Sequence, residues 1–275
     1  MDLKISIVTA TFNRKDFLPR CLEAVASQAY PHKEHIIIDG GSTDGALQLL
    51  EEYSNRYQHI RWISEKDNGI SSALNKGLAM ATGDIIGVNG DDDFYEPNVF
   101  GIVAREFIEN PSIGIVSGNC NRVRSDQSHA GVLRAGFTNR RELMEYWKHW
   151  CEDVMLPAPS TFFRKEVVAT VGGFDEADRY AMDYHHWIKM TEKFKVKTID
   201  QTFANFRIDE GTVSGSQGQR QLDEMYAISR KHWGSILNPD YYRLAFSYLE
   251  HHKWPPLRNR LKNSIRYRLG WLLKI

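Results

Sequence analysis

The chain has 275 residues, enough for one large domain or two small ones that bury their own hydrophobic core. Hydrophobic residues make up 42% and charged residues 25%, which excludes the disordered and fibrous classes of protein. The 35 basic and 35 acidic residues cancel, so the composition gives no reason to expect nucleic-acid binding. Residues 251–275 nevertheless carry seven basic and no acidic residues, which leaves a net charge of −7 on the remainder.

The first half of the chain alternates short β-branched runs with segments of helical period. This alternation predicts a βαβ series with a parallel sheet, in which ligands bind outside the carboxyl ends of the strands. Strands are predicted at residues 5–10, 35–39, 61–64, 84–88 and 113–117, and helices are predicted to begin near Lys15, Thr43, Ser71 and Asn98.

The segments after the first two predicted strands restrict the class of ligand that can bind at this edge of the sheet. Neither GxGxxG nor GxxxxGKS/T follows the first strand, which argues against the dinucleotide-binding and P-loop classes. Asp39 ends the second strand and precedes two glycines, which permit close approach of the backbone to a ligand. Ser42 or Thr43 is predicted to cap the next helix and leave its amides near the site; taken alone, an ordinary turn is the favoured interpretation.

Three consecutive carboxylates, Asp91, Asp92 and Asp93, follow the fourth apolar run. Adjacent like charges raise one another's pKa, so the triplet is costly unless a cation binds there. Oxygen ligands of this kind suit Mg²⁺ or Mn²⁺. A solvated acidic turn in which Asp93 caps the next helix is the alternative, and the motif alone leaves both open.

The second half is less regular. A hairpin is predicted around residues 120–135, and a polar loop at 207–220 is a candidate lid beside a site. Further strands are predicted at 160–164 and 196–199, and further helices at about 183–193 and 221–233.

Cysteine and histidine spacing gives no sign of a disulfide framework or a zinc site. Cys21, Cys120 and Cys151 are odd in number and widely spaced, which is typical of free thiols in a reducing cytoplasm. His185 and His186 are adjacent and cannot form a pair four residues apart, so a surface or acceptor-side role is predicted. No signal peptide or membrane-spanning run is evident, and we expect a soluble or peripheral protein.

The basic tail has a helical apolar stripe. We expect it to lie on an anionic membrane surface or to pack on the rest of the chain or on a second copy in a homo-oligomer; its charges and tryptophans favour the membrane. The stripe consists of Trp254, Leu257, Leu261, Ile265, Leu269 and Leu272.

Several motifs in the same order give the chain a family resemblance over about residues 3–233. The sequence resembles the family 2 glycosyltransferases, which are inverting enzymes of the GT-A fold. The motifs are IVTATFNR, IIIDGGSTDG, SEKDNGISSALNKGLAMATGDIIGVNGDDDFYEP, STFFRKEVVATVGGFDE, AMDYHHW and the segment from Gly211 to Ser214.

The resemblance implies an α/β fold of GT-A type, with a mostly parallel central sheet flanked by helices and a helical tail. It implies a nucleotide-binding half at about 1–118 and an acceptor half at 119–235, followed by a basic extension at 236–275. The implied reaction moves a hexosyl or N-acetylhexosaminyl group from a nucleotide-diphosphate sugar, expected to be a UDP-sugar, to a saccharide or lipid-linked acceptor. Polysaccharide or lipopolysaccharide synthesis in the cytoplasm, on the inner face of the inner membrane, is the expected setting.

The resemblance also assigns residues to roles. Asp183 matches the catalytic base, although spacing alone favours a residue that caps the helix at about 183–193. Asp91 with Asp92 matches the pair that binds Mn²⁺ or Mg²⁺, with Asp93 as an alternative member. The nucleotide-sugar is expected to contact Thr9, Thr11, Asn13, Asp39, Gly41, Asp67, Gly69, Asn75 and Asp91.

Two departures and two alternatives accompany the resemblance. Similar sequences often have an aromatic residue at Thr11 or Phe12 and an acidic residue at His185. A sugar nucleotidyltransferase is one alternative, although it needs a glycine-rich basic loop after the first strand, which TATFNRKDF does not provide. A non-catalytic nucleotide-sugar-binding protein held at a membrane by its tail is the other.

Overall fold

The computed structural model describes residues 2–146, 153–209, 218–234, 236–237 and 239–248. Its strands are β1 Ile5–Thr11, β2 Lys33–Asp39, β3 Ile60–Ser64, β4 Ile85–Gly90, β5 Phe94–Tyr95, β6 Ile113–Val123, β7 His129–Ala135, β8 Val154–Met155, β9 Thr161–Arg164 and β10 Lys195–Arg207. Its helices are α1 Leu18–Ala26, α2 Ala46–Arg56, α3 Ile70–Met80, α4 Val99–Glu109, α5 Arg140–Met144, α6 Lys165–Val171, α7 Met182–Thr191, α8 Gly218–Lys231 and α9 Pro239–Tyr248.

One curled sheet runs through the protein in the order β3-β2-β1-β4-β9-β6-β10-β5. The first four strands in this order are parallel, β9 is antiparallel to both of its neighbours, and β6 and β10 are parallel to each other. The chain passes from β1 to β2 on one side and returns to β4 on the other. The carboxyl ends of β1 and β4 therefore form a switch point, where open α/β sheets bind ligands.

The alternation of side chains along the strands builds apolar cores on both faces of the sheet. Val8 packs in a core with α3 and α7, whereas its neighbour Ile7 packs on the opposite face with residues of α4. A Cβ at Gly77 would lie 2.2 Å from Val8 Cγ1, so a glycine here lets α3 pack directly on β1. This contact fixes the helix that borders the switch point.

The predicted strands and helices are confirmed, and the structure adds length to two of them. The strands expected at 113–117 and 196–199 are parts of β6 and β10, which extend because they pair with each other along most of their length. The hairpin expected around 120–135 is formed by β6 and β7.

The predicted cap of the second helix is wrong. Helix α2 begins after Gly45, which has φ 96°, and the Ala46 amide donates to Asp44 Oδ1 over 3.0 Å. The Ser42 oxygen accepts from the Asn13 backbone amide and its hydroxyl donates to Asp39, while the Thr43 hydroxyl donates to Asn13 Oδ1, so neither side chain caps the helix.

Several predicted features lie outside the described residues, namely Cys151, the motif 211–214 and the tail stripe 254–272. Among the described parts of the chain, Cys21 and Cys120 are buried free thiols, and no helix combines the length and apolar character needed to cross a bilayer.

Candidate active site

A cavity of about 750 Å³ opens at the carboxyl ends of β1 and β4 and extends to α7. Its volume is in the range of pockets that hold small molecules. Sequence reasoning placed several of its lining residues in one site: Thr11, Asp67, Gly69, Asp91, Asp92, Asp93 and Asp183.

The acidic triplet is buried at the cavity wall. Asp91 is 8% exposed and Asp93 is 3% exposed, so the alternative of a solvated acidic turn is wrong. Asp93 does not cap α4 either, because Asn98 stands at that position. Burial, followed by repulsion from Asp92, raises the pKa of Asp91 to about 6.

Asp92 and Asp93 are shifted in the same direction. Burial raises the pKa of Asp92, and burial together with the charge of Asp92 raises the pKa of Asp93 well above its usual range. Asp93 Oδ1 accepts a hydrogen bond of 3.0 Å from the Arg207 amide. Asp93 is thus engaged by β10, and Asp91 with Asp92 are the carboxylates better suited to a hard cation, which would relieve their mutual repulsion.

Arg14 is a cavity residue that sequence reasoning missed. Its Nε lies 3.4 Å from Asp91 Oδ1, and its Nη2 is paired with Asp92. The Phe17 ring contacts this guanidinium at 4.3 Å and that of Arg207 at 4.0 Å. The Phe17 ring therefore holds two guanidinium groups beside the acidic triplet.

Asp39 organises the loop after β2 and does not itself line the cavity. It is fully buried, and its carboxylate accepts hydrogen bonds from the Gly41 amide at 2.9 Å and the Ser64 hydroxyl at 2.6 Å. The amide and hydroxyl of Ser42 donate to the same carboxylate. Gly41 adopts φ 89°, which only glycine reaches easily.

Asn13 joins this loop to the loop after β1. Its backbone amide donates to Ser42 Oγ over 2.7 Å, and its side-chain Oδ1 accepts from the Thr43 backbone amide over 2.8 Å. Asn13 itself has φ 51°, a conformation that asparagine tolerates better than most residues. Asn13, Asp39 and Gly41 thus fix the border of the cavity.

The predicted contact of Thr9 with the nucleotide-sugar is wrong. It is fully buried, with Oγ1 2.9 Å from His35 Nε2, whereas Thr11, on the same face but at the carboxyl end of β1, lines the cavity. A ligand in the cavity therefore does not reach Thr9.

The segment before α3 presents Asp67 and Gly69 to the cavity. Asp67 Oδ1 accepts from the Gly69 amide over 2.8 Å, and Gly69 has φ 116°. Asn75 lies one turn into the helix and outside the cavity lining. Its side chain donates to Phe174 O over 3.0 Å and accepts from Phe174 N over 2.8 Å, so it orders the loop before α7 and does not line the cavity as a nucleotide-sugar contact would.

Asp183 lies in the first turn of α7 and lines the same cavity as the acidic triplet. It is not the N-cap, which is Ala181, and its Oδ1 accepts from the Tyr184 amide over 2.8 Å. Burial raises the pKa of Asp183 to about 6, and the charge of Glu224 contributes to the shift. A carboxylate of this pKa is mostly ionised at neutral pH yet remains a competent proton acceptor.

Glu224 holds the segment that leads to Asp183. From α8, its carboxylate accepts hydrogen bonds from the amides of Arg179 at 2.8 Å, Tyr180 at 2.5 Å and Ala181 at 2.7 Å. No sequence pattern links Glu224 to this segment, because the contact spans more than 40 residues.

The comparison with known proteins decides the family. Residues 6–172 match Glycosyl transferase family 2. The chain belongs to this family. It is 26% identical to "Chondroitin synthase" of Escherichia coli over 257 residues, covering 93% of this chain and 34% of that protein. The chain thus spans about a third of the length of this curated relative.

Solved structures show the same fold. S. aureus TarS 1-349 in complex with UDP-GlcNAc superimposes with a TM-score of 0.69 at 17% identity, covering 90% of this chain and 73% of that chain. The mannosyltransferase PcManGT from Pyrobaculum calidifontis, in complex with GDP-Man and Mn²⁺, gives a TM-score of 0.65 at 19% identity, covering 90% and 70%. The GT-A fold and the glycosyltransferase family expected from the motifs are confirmed, which disfavours a sugar nucleotidyltransferase.

The adjacent histidines His185 and His186 are buried in helix α7. His185 is 7% exposed, with Nδ1 2.6 Å from Asp178 Oδ2, and His186 is 1% exposed against the Phe174 ring at 4.4 Å. The predicted surface or acceptor-side role is wrong, because both rings are packed beneath the loop before α7. Asp175, Asp178 and His185 bring ligand atoms within 4.8 Å of one another, but His185 and Asp178 already satisfy each other.

Proposed function

We propose that the protein transfers a sugar from a nucleotide-diphosphate sugar to an acceptor hydroxyl with inversion at the anomeric carbon. The observation that carries the proposal is the shared cavity, whose lining includes Asp91, Asp92 and Asp183. An inverting displacement needs stabilisation of the leaving diphosphate on one side of the sugar and a base on the opposite side.

The donor end is proposed around Thr11, Asp67, Gly69 and Asp91. The side chain of Phe12 lines the same end and is 57% exposed, which offers an aromatic face for a nucleobase. A UDP-sugar is the favoured donor, because a structural neighbour was solved with UDP-GlcNAc. Asn13, Asp39 and Gly41 act through the loop that they fix, and Asn75 acts through the loop before α7.

A divalent cation, Mn²⁺ or Mg²⁺, is proposed to bind Asp91 and Asp92, with Asp93 as the alternative member. When bound, such an ion neutralises the charge of a leaving diphosphate. The fit rests on two buried oxygen donors whose pKa values burial raises, and on a neighbour solved with Mn²⁺. Arg14 supplies a positive charge at the same wall and is placed to contact the diphosphate as well.

Asp183 is the proposed base. The acceptor hydroxyl gives its proton to the Asp183 carboxylate as its oxygen attacks the anomeric carbon, and the nucleoside diphosphate departs on the opposite side. Glu224 keeps the start of α7 in place during this step through its three amide contacts.

The wider role is proposed from the relatives. The transferred group is a hexosyl or N-acetylhexosaminyl unit, and a chondroitin synthase relative supports synthesis of a polysaccharide or lipopolysaccharide. The domain is proposed to comprise residues 1–235, with a basic extension at 236–275. Attachment of that extension to the cytoplasmic face of the inner membrane is likewise a proposal, and most of it lies outside the described residues.

A donor panel tests the proposal. The full chain is incubated with Mn²⁺ and UDP-glucose, UDP-galactose, UDP-GlcNAc, GDP-mannose or dTDP-glucose, and release of nucleoside diphosphate is measured. We expect slow hydrolysis of one UDP-sugar with a product that has inverted anomeric configuration by proton NMR. Binding without hydrolysis or transfer of any donor would instead support the non-catalytic alternative.

A further inference from the structure

The part of the cavity formed by α5, α7, α8 and the segment after β8 is mostly apolar. We call it the apolar chamber, and its most buried wall residues come from α5, the segment after β8, α7 and α8. Leu143 and Leu156 are each 1% exposed, Trp187 is 2% exposed and Met225 is 5% exposed. Leu133 of β7 completes this wall and is only half-buried.

The polar tips of the aromatic residues in this wall already have protein partners. Tyr184 Oη donates to Leu143 O over 2.8 Å, and Trp187 Nε1 donates to Leu156 O over 3.1 Å. Tyr146 Oη lies 3.8 Å from Met155 Sδ. A carbohydrate pressed against this wall would lose water without gaining hydrogen bonds from these groups, which is unfavourable.

Charged wall residues lie nearer to solvent. Arg122 and Asp153 form an ion pair of 2.6 Å, and their side chains are 25% and 40% exposed. The chamber therefore has a polar mouth and an apolar interior, and Asp183 is close enough for its charge to act on Tyr146 in the chamber wall.

We propose that the apolar chamber binds a hydrocarbon group attached close to the acceptor hydroxyl, so that the acceptor is a lipid-type alcohol or a glycoside of one. The inference rests on the proposed role of Asp183, because the acceptor hydroxyl must reach that carboxylate. Burial of methylene groups against Leu133, Met155 and Met182, cavity residues that are only partly buried, is favourable, since about 25 cal/mol is gained per Å² of apolar surface removed from water. The wall thus selects the acceptor by its hydrocarbon part.

The volume of the cavity limits how much of the acceptor can bind inside it. The donor sugar shares the volume of about 750 Å³ with the acceptor, so the chamber holds the hydrocarbon next to the reacting hydroxyl and not a whole lipid. The rest of a long chain would leave through the mouth beside Arg122 and Asp153.

Calorimetry with a homologous series tests the proposal on the full chain. Methyl, butyl, hexyl and octyl β-D-glucosides are titrated below their micelle concentrations in the presence of UDP and Mn²⁺. We expect affinity to rise with chain length, by up to about fourfold per methylene. Geranyl β-D-glucoside, measured beside the octyl compound, distinguishes an isoprenoid from a straight alkyl chain, and tighter binding of either than of the methyl compound supports the proposal.

Two substitutions test whether the alkyl chain binds in the apolar chamber. Leu133→Gln and Met225→Gln should flatten the dependence on chain length, whereas Ile108→Gln, on α4 and outside the cavity, should leave it unchanged. Affinity independent of chain length in the unmodified protein, or unchanged length dependence in both chamber variants, would overturn the proposal. UDP binding, measured in the same samples, reports separately on the proposed donor site, so failure of that site is distinguished from failure of the chamber.

Discussion

Arg14 is ion-paired with Asp92, which joins the loop after β1 to the turn after β4 across the switch point of the sheet. The same guanidinium lies 3.4 Å from Asp91, so one cation serves both carboxylates of the proposed metal pair. Burial raises the pKa of both acids, and the charge of Arg14 opposes this shift and favours their ionised forms.

Removal of Arg14 should strengthen metal binding in the absence of nucleotide. We expect Arg14→Met to raise Mn²⁺ affinity by roughly tenfold, since a charge at this distance contributes about 1 to 4 kcal/mol near a protein surface. Electron paramagnetic resonance of free Mn²⁺ measures the change. Arg20→Met, whose guanidinium lies over Phe94 outside the cavity, is the matched control. Weaker Mn²⁺ binding by Arg14→Met would show that Arg14 helps to hold the metal rather than to replace it.

Asp183→Asn should be more stable and inactive. The folded-state pKa of about 6 lies above the usual value of 3.8, so ionised Asp183 lowers stability increasingly as pH rises from about 4 to 6. At pH 7 the amide should raise the free energy of unfolding by up to about 3 kcal/mol, and this gain should disappear below pH 4. Urea denaturation at both pH values measures it. Transfer should fall by about 10² to 10⁴ with UDP affinity unchanged; an active variant would mean that another group is the base.

Glu224 should set the acid limb of the pH profile. Activity should be lost as pH falls through about 6, because Asp183 must be deprotonated to accept a proton. In Glu224→Gln this limb should move to lower pH, because a charge that raises the pKa of Asp183 is removed. The rate at the optimum should also fall, because the amide contacts of residues 179–181 are weakened. Glu166→Gln, exposed on α6, is the control, and an unshifted limb in Glu224→Gln would exclude the electrostatic link.

The sequence predicted the sheet well because its strands are short apolar runs with polar ends, and the ends that carry Thr11 and Asp91 meet as the βαβ order requires. It predicted less well what each polar group does. Asp39 is predicted as a ligand contact, yet four donors from nearby residues saturate it, and Thr9 is buried against His35. Glu224 could not be predicted at all, since its partners are backbone amides far along the chain.

Glu34 should stabilise the fold at neutral pH and lose this effect in acid. Burial alone would raise its pKa, but hydrogen bonds from Ser6, Lys4 and Thr82 outweigh it and lower the pKa to about 2. A depressed carboxyl pKa stabilises the fold above its unfolded value of about 4.5, and this stability is lost as pH falls toward 2. Glu34→Gln should therefore cost about 2 to 4 kcal/mol at pH 7 and much less at pH 3.

The control for this prediction is Glu51→Gln on α2, which is exposed and should change little. Chemical denaturation at both pH values measures the difference. Equal losses at pH 7 and pH 3 would mean that shape rather than charge explains the role of Glu34.

The most direct test of the central claim is calorimetric titration of UDP into the full chain with Mn²⁺ and with EDTA, for the unmodified protein and for Asp92→Asn. Asp126→Asn, in the exposed turn before β7, serves as the control. We predict UDP binding that requires Mn²⁺ and that Asp92→Asn weakens by about 10- to 100-fold or more, as expected for disturbance of a metal site. Equal UDP affinity in EDTA, or in Asp92→Asn with Mn²⁺, would contradict a metal-assisted donor site at the carboxyl end of β4.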